Sequence, residues 1–447
     1  MFKDNKILVL GMARSGYEAA KFLANRGNQV ILNDGGKIEK QDPNHIQELK
    51  DLGVELIFGE HPDDLLDESF DYLIKNPGIA IDHKYVLKAR QLGIEVINEA
   101  EMAYRLLPDD VTLIGITGTN GKTTTTTLTY LMIKESGKSV HLAGNIGYPL
   151  CSFLPKLQSG DIIVMEVSCQ QLENMKEFRP HIALMTNLSV AHLEFLKTYD
   201  NYKRVKFKLF ANQTEDDVAI LNIENEEVMA GTKNIKAQMK YFSSSHEING
   251  AYLKDNALWY YDDKVIDRDK FLLAGNHNVE NALGAMMIAK EVGVSDEAIV
   301  KVLTTFTGVE HRLEFVRKVH GVSYYNDTEA TNTKCSQIAL SAFQQPTIII
   351  LGGYERQQDF HDLDDYLQHV KLIVGIGSCR ERVREFAVSQ QIPVAIFEHL
   401  KEAFSYIQQE AQDGDVVLLS PASASWDQYK QCEDRGSEFK NYVQQIQ

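Results

Sequence analysis

Short apolar runs, bounded in the first block by Gly, Asn, Asp or Pro, recur along nearly the whole chain, and helical stretches separate them. That alternation predicts a parallel α/β architecture, because each parallel strand needs a crossover connection and a cover on both faces. The candidate strands of the first block are residues 7–10, 30–33, 54–58, 72–75 and 96–98. The stretch 104–110, with the turn signal Pro108-Asp109-Asp110, reads as a linker. A second block opens with the apolar run 111–114; inside it, residues 238–266 alternate, are rich in Tyr and Trp, and read as a small antiparallel excursion. A third block repeats the first pattern at 322–325, 347–351, 372–376, 394–397 and 416–419. At about 150 residues per domain, the 447 residues suit three domains in series, with expected boundaries 1–105, 106–308 and 309–447.

Composition removes several alternatives. Hydrophobic residues are 44% and charged residues 24%, so disorder and fibrous structure are excluded. No window approaches ~20 uninterrupted apolar residues, the amino terminus lacks a signal-peptide pattern, and a cytoplasmic protein without a membrane span is expected. Five scattered cysteines without CxxC spacing argue against a disulfide framework or a zinc site. The 46 basic and 63 acidic residues leave a net charge of −17, which disfavours nucleic acid and anionic lipid as partners. If the ligands are anionic, the cations that meet them must be local and few.

The strongest local feature is Ile114-Gly115-Ile116-Thr117-Gly118-Thr119-Asn120-Gly121-Lys122-Thr123-Thr124, an apolar strand running into a Gly-rich turn and a helix start. Phosphate binding needs this order: glycines let backbone N–H groups converge, the helix end adds its dipole, and lysine adds a full charge. The Thr123 hydroxyl is then a candidate Mg²⁺ ligand, although Ile116 stands where the strict Walker spacing has glycine. The threonines at 123–127 would cap the helix or meet a ligand. A second strand, 161–166, ends in Glu166, which is where such sheets place ligand-facing carboxylates.

Near the amino terminus, Gly11-Met12-Ala13-Arg14-Ser15-Gly16 follows a strand and Asp34 ends the next one. This is a loose dinucleotide fingerprint with Ala13 in a glycine position. A diphosphate or another nucleotide fits it better than NAD, and a bare packing turn remains open. Further polar clusters are Gly144-Asn145-Ile146-Gly147, His192 with Lys206, His277-Asn278-Val279-Glu280-Asn281, Glu310-His311-Arg312, and Asn326-Asp327-Thr328-Glu329-Ala330-Thr331-Asn332. Singly, each such residue is more often structural; for Asp327, at the head of an expected helix, capping is the plain explanation.

Taken together and in order, these motifs and the run Leu419-Ser420-Pro421-Ala422-Ser423-Ala424-Ser425-Trp426-Asp427-Gln428-Tyr429 resemble the Mur ligase family over essentially the whole chain. The resemblance implies a Rossmann-like first domain that binds a UDP-sugar, a P-loop ATPase-like middle domain and a Rossmann-like last domain. It is nearest the branch that adds D-glutamate to UDP-N-acetylmuramoyl-L-alanine, with ATP and Mg²⁺, through an acyl phosphate, and it implies a monomer with small-molecule substrates. By resemblance, Gly118, Thr119, Asn120, Gly121, Lys122, Thr123, Thr124, Asn278, Asn281, Arg312 and Asp327 serve ATP. Lys122, Glu166, His192 and Lys206 form the catalytic group. Thr123, Glu166, His192 and a Lys206 carbamylated by CO₂ would face the metal ions. Arg14, Ser15, Asp34 and Asn145 fall where the family holds the UDP-sugar, and Thr331, Arg356 and Ser425 where it holds the amino acid. Because these residues come from separate blocks, domain closure is expected to complete the site.

The chain departs from the pattern at three places: Glu329 stands where close relatives usually carry lysine, Cys169-Gln170 replaces Ser-Phe, and Cys432 replaces an aromatic residue. A cation such as Lys334 or Mg²⁺ is the expected partner of Glu329. Another ligase of the family with a different amino acid, and a non-catalytic nucleotide-binding relative, are the alternative readings.

Overall fold

The computed structural model describes every residue except 192, 274, 356 and 447. The chain divides into two compact units, Met1–Arg268 with Glu280–Val302, and Asp269–Val279 with Leu303–Gln447. The first unit holds two sheets. β1 (Lys6–Leu10), β2 (Gln29–Asp34), β3 (Glu55–Phe58), β4 (Tyr72–Lys75) and β5 (Glu95–Ile97) form a parallel sheet in the order β3-β2-β1-β4-β5. The chain crosses over β1 between β3 and β4, so the crevice beyond the carboxyl ends of β1 and β4 is the topological switch point at which such sheets bind ligands.

The second sheet runs β14-β13-β12-β11-β10-β9-β6-β8-β7. Its strands are β6 (Thr112–Thr117), β7 (Val140–Gly144), β8 (Ile162–Glu166), β9 (Ile182–Met185), β10 (Val218–Asn222), β11 (Gln238–Ser243), β12 (Gly250–Lys254), β13 (Ala257–Tyr260) and β14 (Asp263–Asp267). The expected excursion over 238–266 is therefore no separate piece. β11 lies parallel to β10 and β12 parallel to β11, and only β12-β13-β14 is antiparallel. Alternation signals a half-buried strand but not its direction, and the edge of a parallel sheet accepts either. In register, Glu166 of β8 lies level with Ile116 of β6 and Gly144 of β7, so these three strands deliver their ends to one place.

Alternate residues of β1 face opposite sides. Leu8 and Leu10 pack with Leu73, Tyr85 and Val86, whereas Ile7 and Val9 join a core continuous with Leu113, Ile163 and Met165 of the second sheet. Polar ties reinforce that shared core. Asn98 donates to the Gln171 carbonyl at 2.6 Å, Glu99 accepts the Cys151 N–H at 2.6 Å, and Glu101 accepts the N–H groups of Glu177 and Phe178 at 2.8 and 3.1 Å. Arg105, which forks onto Glu95, also pairs with Glu101 at 2.9 Å.

The second unit has β15 (Glu314–Val319), β16 (Val322–Asn326), β17 (Thr347–Gly352), β18 (Val370–Ile376), β19 (Val394–Ile396) and β20 (Val416–Leu419), ordered β15-β16-β20-β17-β18-β19. Only β15 is antiparallel. Ile348 and Ile350 pack on one face with Phe404 and Phe439, Ile349 and Leu351 on the other with Phe360 and Phe386. Among the described residues no helix is long and apolar enough to cross a membrane.

Glu101 is wholly buried and satisfies two backbone donors of the neighbouring sheet layer as well as Arg105. Glu101→Ala should lower stability by about 3 kcal/mol, since it orphans buried donors and half of an ion pair. Denaturant unfolding of the unliganded protein measures this, and Glu101→Gln should cost less.

Candidate active site

β6 ends in Thr117, and the turn beyond it can be made only by glycine at two places. Gly118 has φ +151° and lies so close to Thr186 that a Cβ would strike its hydroxyl; Gly121 has φ +79° and a Cβ there would strike the Asn281 amide. The turn is held from β9: Thr119 and Asn120 donate their N–H groups to the Asn187 carbonyl and Asn187 Oδ1, both at 2.9 Å. The Thr186 hydroxyl donates to the Asn120 carbonyl at 2.6 Å. Gly121 starts the helix Lys122–Glu135 with no side-chain cap, which leaves the first N–H groups of the helix to a ligand. Lys122 Nζ folds back to the Thr119 carbonyl at 2.9 Å. The threonine hydroxyls do not cap: Thr127 and Thr129 donate to carbonyls one turn earlier, and Thr125 to Asn281 Oδ1.

Beneath this turn lies Lys206, 1% exposed, on the helix Tyr199–Phe207. Its ammonium donates to Thr117 Oγ1 and to the Gly118 carbonyl, each at 2.9 Å. Burial, with the charge of Lys122 as a second cause, pulls its pKa down to about 7. Glu166 is equally buried. One carboxylate oxygen accepts the Asn145 amide at 2.7 Å; the other has no hydrogen-bond partner among the described residues. Asn145 N–H donates to the Glu166 carbonyl, so the 144–147 turn is stitched to the end of β8. Cys169 is buried, and burial pushes its thiol pKa up, so this departure brings no reactive thiolate.

At the switch point of the first sheet, the helix Arg14–Asn25 also begins without a side-chain cap. Arg14 reaches the Asn145 carbonyl at 3.3 Å, which joins the amino-terminal turn to the 144–147 turn. Asp34 uses both oxygens to hold loops, accepting Met12 N–H and Gly36 N–H at 2.7 Å. The Ser15 hydroxyl accepts the Asn76 amide at 3.1 Å.

In the second unit, Asp327 does not cap the next helix, Thr333–Leu340; Asn332 does. The Asp327 carboxyl is buried, accepts Leu313 N–H and the Ser420 hydroxyl, and is pushed up to about 7 by that burial. Glu329 pairs with Arg312 at 3.4 Å. Ser425 is 1% exposed and its hydroxyl has no partner among the described residues. Thr331 lies in the 326–332 loop, where its N–H donates to the Glu329 carbonyl at 2.8 Å. His192 and Arg356 lie outside the described residues. Asn278 and Asn281 are one turn apart on the helix Asn276–Glu291.

Two sets of residues escaped the sequence reading. Thr186 and Asn187, which anchor the phosphate turn, carry the signal of polar residues directly after a buried strand. Arg435 is the other. Fully buried on the helix Cys432–Gln444, it donates to the Thr328 hydroxyl and carbonyl, the Gly352 carbonyl and the Ser423 carbonyl at 3.0 to 3.3 Å. Two of these loops carry Thr331 and Ser425. The available signal was a charge on the apolar stripe it shares with Phe439 and Val443.

A glycine turn between a central strand and an uncapped helix, with a lysine and a buried carboxylate at the ends of adjacent strands, defines a P-loop nucleotide-binding α/β protein. Three family profiles match the chain: Mur ligase MurD-like N-terminal domain over residues 5–98, Mur ligase middle domain over 116–289, and Mur ligase glutamate ligase domain over 311–423. The chain belongs to the Mur ligase family and is an ATP-dependent amide-bond ligase. It is 43% identical over 439 residues to UDP-N-acetylmuramoylalanine--D-glutamate ligase of Lactococcus lactis subsp. lactis (strain IL1403), covering 98% of this chain and 97% of that one. It is 41% identical over 447 residues to the protein of the same name from Bacillus thuringiensis (strain Al Hakam), covering 100% and 98%. In fold it is similar to the UDP-N-acetylmuramate-alanine ligase MurC of Thermotoga maritima (TM-score 0.60, 18% identity, 98% and 99% covered) and to MurF of Acinetobacter baumannii (TM-score 0.60, 19% identity, 97% and 93% covered).

The two left-handed glycines of the helix Lys122–Glu135 separate conformational strain from collision. Gly137, just beyond the helix, has φ +80° with nothing near its missing Cβ, whereas Gly121 has φ +79° and faces Asn281. Gly137→Ala should cost about 1 kcal/mol, the left-handed strain alone, and Gly121→Ala at least about 1 kcal/mol more, read by chemical denaturation.

Proposed function

We propose that this chain joins the amine of D-glutamate to the free carboxylate of UDP-N-acetylmuramoyl-L-alanine. The observation that carries the reading is identity above 40% along the whole chain to ligases of that name. The substrate carboxylate takes the γ-phosphoryl group of ATP, ADP leaves, and the amine attacks the resulting acyl phosphate. Phosphate then departs and the nitrogen loses a proton. A carboxylate is a poor electrophile, so the residues must hold three anions together and exclude water from the acyl phosphate.

The roles proposed here are those that the family resemblance implies. Lys122 and the uncapped N–H groups of residues 122–124 receive the ATP phosphates, with Gly118, Thr119, Asn120 and Gly121 shaping the turn. Asn278 and Asn281 serve the adenine side, and Arg312 and Asp327 the phosphate and ribose. Arg14, Ser15, Asp34 and Asn145 hold the UDP-sugar; Thr331, Arg356 and Ser425 hold the amino acid. The buried oxygen of Glu166 that has no partner among the described residues fits a divalent cation, and Thr123, Glu166, His192 and a carbamylated Lys206 would hold Mg²⁺. When bound, Mg²⁺ neutralises charge on the transferring phosphoryl group. Burial makes the neutral amine of Lys206 accessible near pH 7, and the neutral amine is the form that adds CO₂ to give a carbamate and a proton.

Lys206→Ala should lose at least about 100-fold in kcat and recover part of it with added short carboxylic acids. Full activity in Lys206→Ala would assign the lysine a packing role.

The substrate is tested by phosphate release with ATP, UDP-N-acetylmuramoyl-L-alanine and a panel of D-amino acids; D-glutamate should be preferred, and preference for a neutral amino acid would refute the assignment. Glu329 is turned to Arg312, not to Lys334, the cation named from the sequence, and the pair is partly exposed. Such a pair contributes up to about 1 kcal/mol. In the same assay Glu329→Lys should raise KM for ATP by up to about fivefold, through repulsion of Arg312, and leave KM for D-glutamate within about twofold.

A further inference from the structure

Lys75 is a buried cation that the mechanism above does not use. Lys75 ends β4, has no exposed surface, and points its ammonium into the turn that follows. Nζ donates to the carbonyls of Ile79, Asn76 and Pro77 at 2.7, 3.2 and 3.4 Å, and lies 5.8 Å from the centre of the Phe195 ring. No described carboxylate pairs with it, although a buried ammonium without an anion is costly. Burial pulls its pKa down to about 8; the more distant Glu173 carboxylate favours the charged form and Arg90 opposes it.

The turn that Lys75 organises faces the amino-terminal phosphate candidate. Asn76 N–H donates to the Leu10 carbonyl at 2.9 Å, and its side chain donates to Ser15 Oγ at 3.1 Å and accepts Gly78 N–H at 3.0 Å. Asn76 and Ile79 press on Gly11 so closely that a Cβ there would meet them at 3.0 and 2.9 Å. The 76–79 turn is thus the second wall of the crevice at the β1/β4 switch point, opposite the uncapped helix start at Arg14.

We infer that Lys75 is a positioning residue for the UDP-sugar: its ammonium gathers three carbonyls to set the 76–79 turn against residues 11–15, and its unpaired charge favours the diphosphate. Carbonyl oxygens orient the ammonium without cancelling its charge, as a carboxylate would, so the charge acts on an anion in the adjacent crevice at low local dielectric. Packing alone would be served by an apolar side chain of the same length.

The inference rests on the UDP-sugar reading of Arg14 and Ser15, and steady-state kinetics separates the two. Wild type must turn over UDP-N-acetylmuramoyl-L-alanine; absence of turnover would overturn that reading and this inference with it. Lys75→Met keeps the stem and removes the charge. It should raise KM for the UDP-sugar about tenfold, equivalent to about 1.4 kcal/mol, with KM for ATP within about twofold. Asn76→Ala retains the ammonium but frees Ser15 and should shift the same constant in the same direction, so poor folding of one variant leaves the other as the test. An active wild type with an unchanged UDP-sugar KM in these variants, or an equal rise in both KM values, would overturn the inference.

Discussion

Two hydrogen bonds from the buried ammonium of Lys206, to Thr117 Oγ1 and the Gly118 carbonyl, join the helix Tyr199–Phe207 to the point where β6 becomes the phosphate turn. Thr117 in turn donates to the Val167 carbonyl at 2.6 Å, directly after Glu166. The strand β6, the turn, the end of β8 at Glu166 and Val167, and Lys206 are therefore one hydrogen-bonded assembly. Gly118 and Gly121 let the backbone approach Thr186 and Asn281 closely enough for that assembly to close.

An overall charge of −17 is an unpromising setting for anionic substrates, and the solution is local. Lys75 and Arg435 are both buried, and each spends its donors mainly on backbone carbonyls; burial lowers the pKa of each. Carbonyl ligation fixes a cation in place and leaves a net positive charge, whereas carboxylate ligation would remove it.

Strand positions and the phosphate turn were legible in the sequence because both rest on local rules: apolar runs bounded by turn residues, and glycine before Lys-Thr. The family motifs named the remaining candidate residues. What stayed hidden was long-range. Nothing around Lys206 or Lys75 distinguishes a buried ammonium from a solvated one until β6 and the 76–79 turn are folded against them. The direction of β11 was hidden for the same reason, since a single strand reads alike in parallel and antiparallel pairing. The plain explanation of Asp327 as a cap fails because the helix starts later, at Asn332, which leaves Asp327 to hold Leu313 and Ser420.

Arg435 grips the loops at Thr328, Gly352 and Ser423 with a single planar guanidinium. Loops joined in this way lose their conformational entropy when the domain folds, not when the amino acid arrives. Under the proposed assignment of these loops to the amino acid, discrimination resembles that of a rigid mould, with little capacity to reshape around a longer or branched side chain. It also makes the three loops one mutational unit: changes in any two of them should combine non-additively, because each alters the geometry from which the other is read.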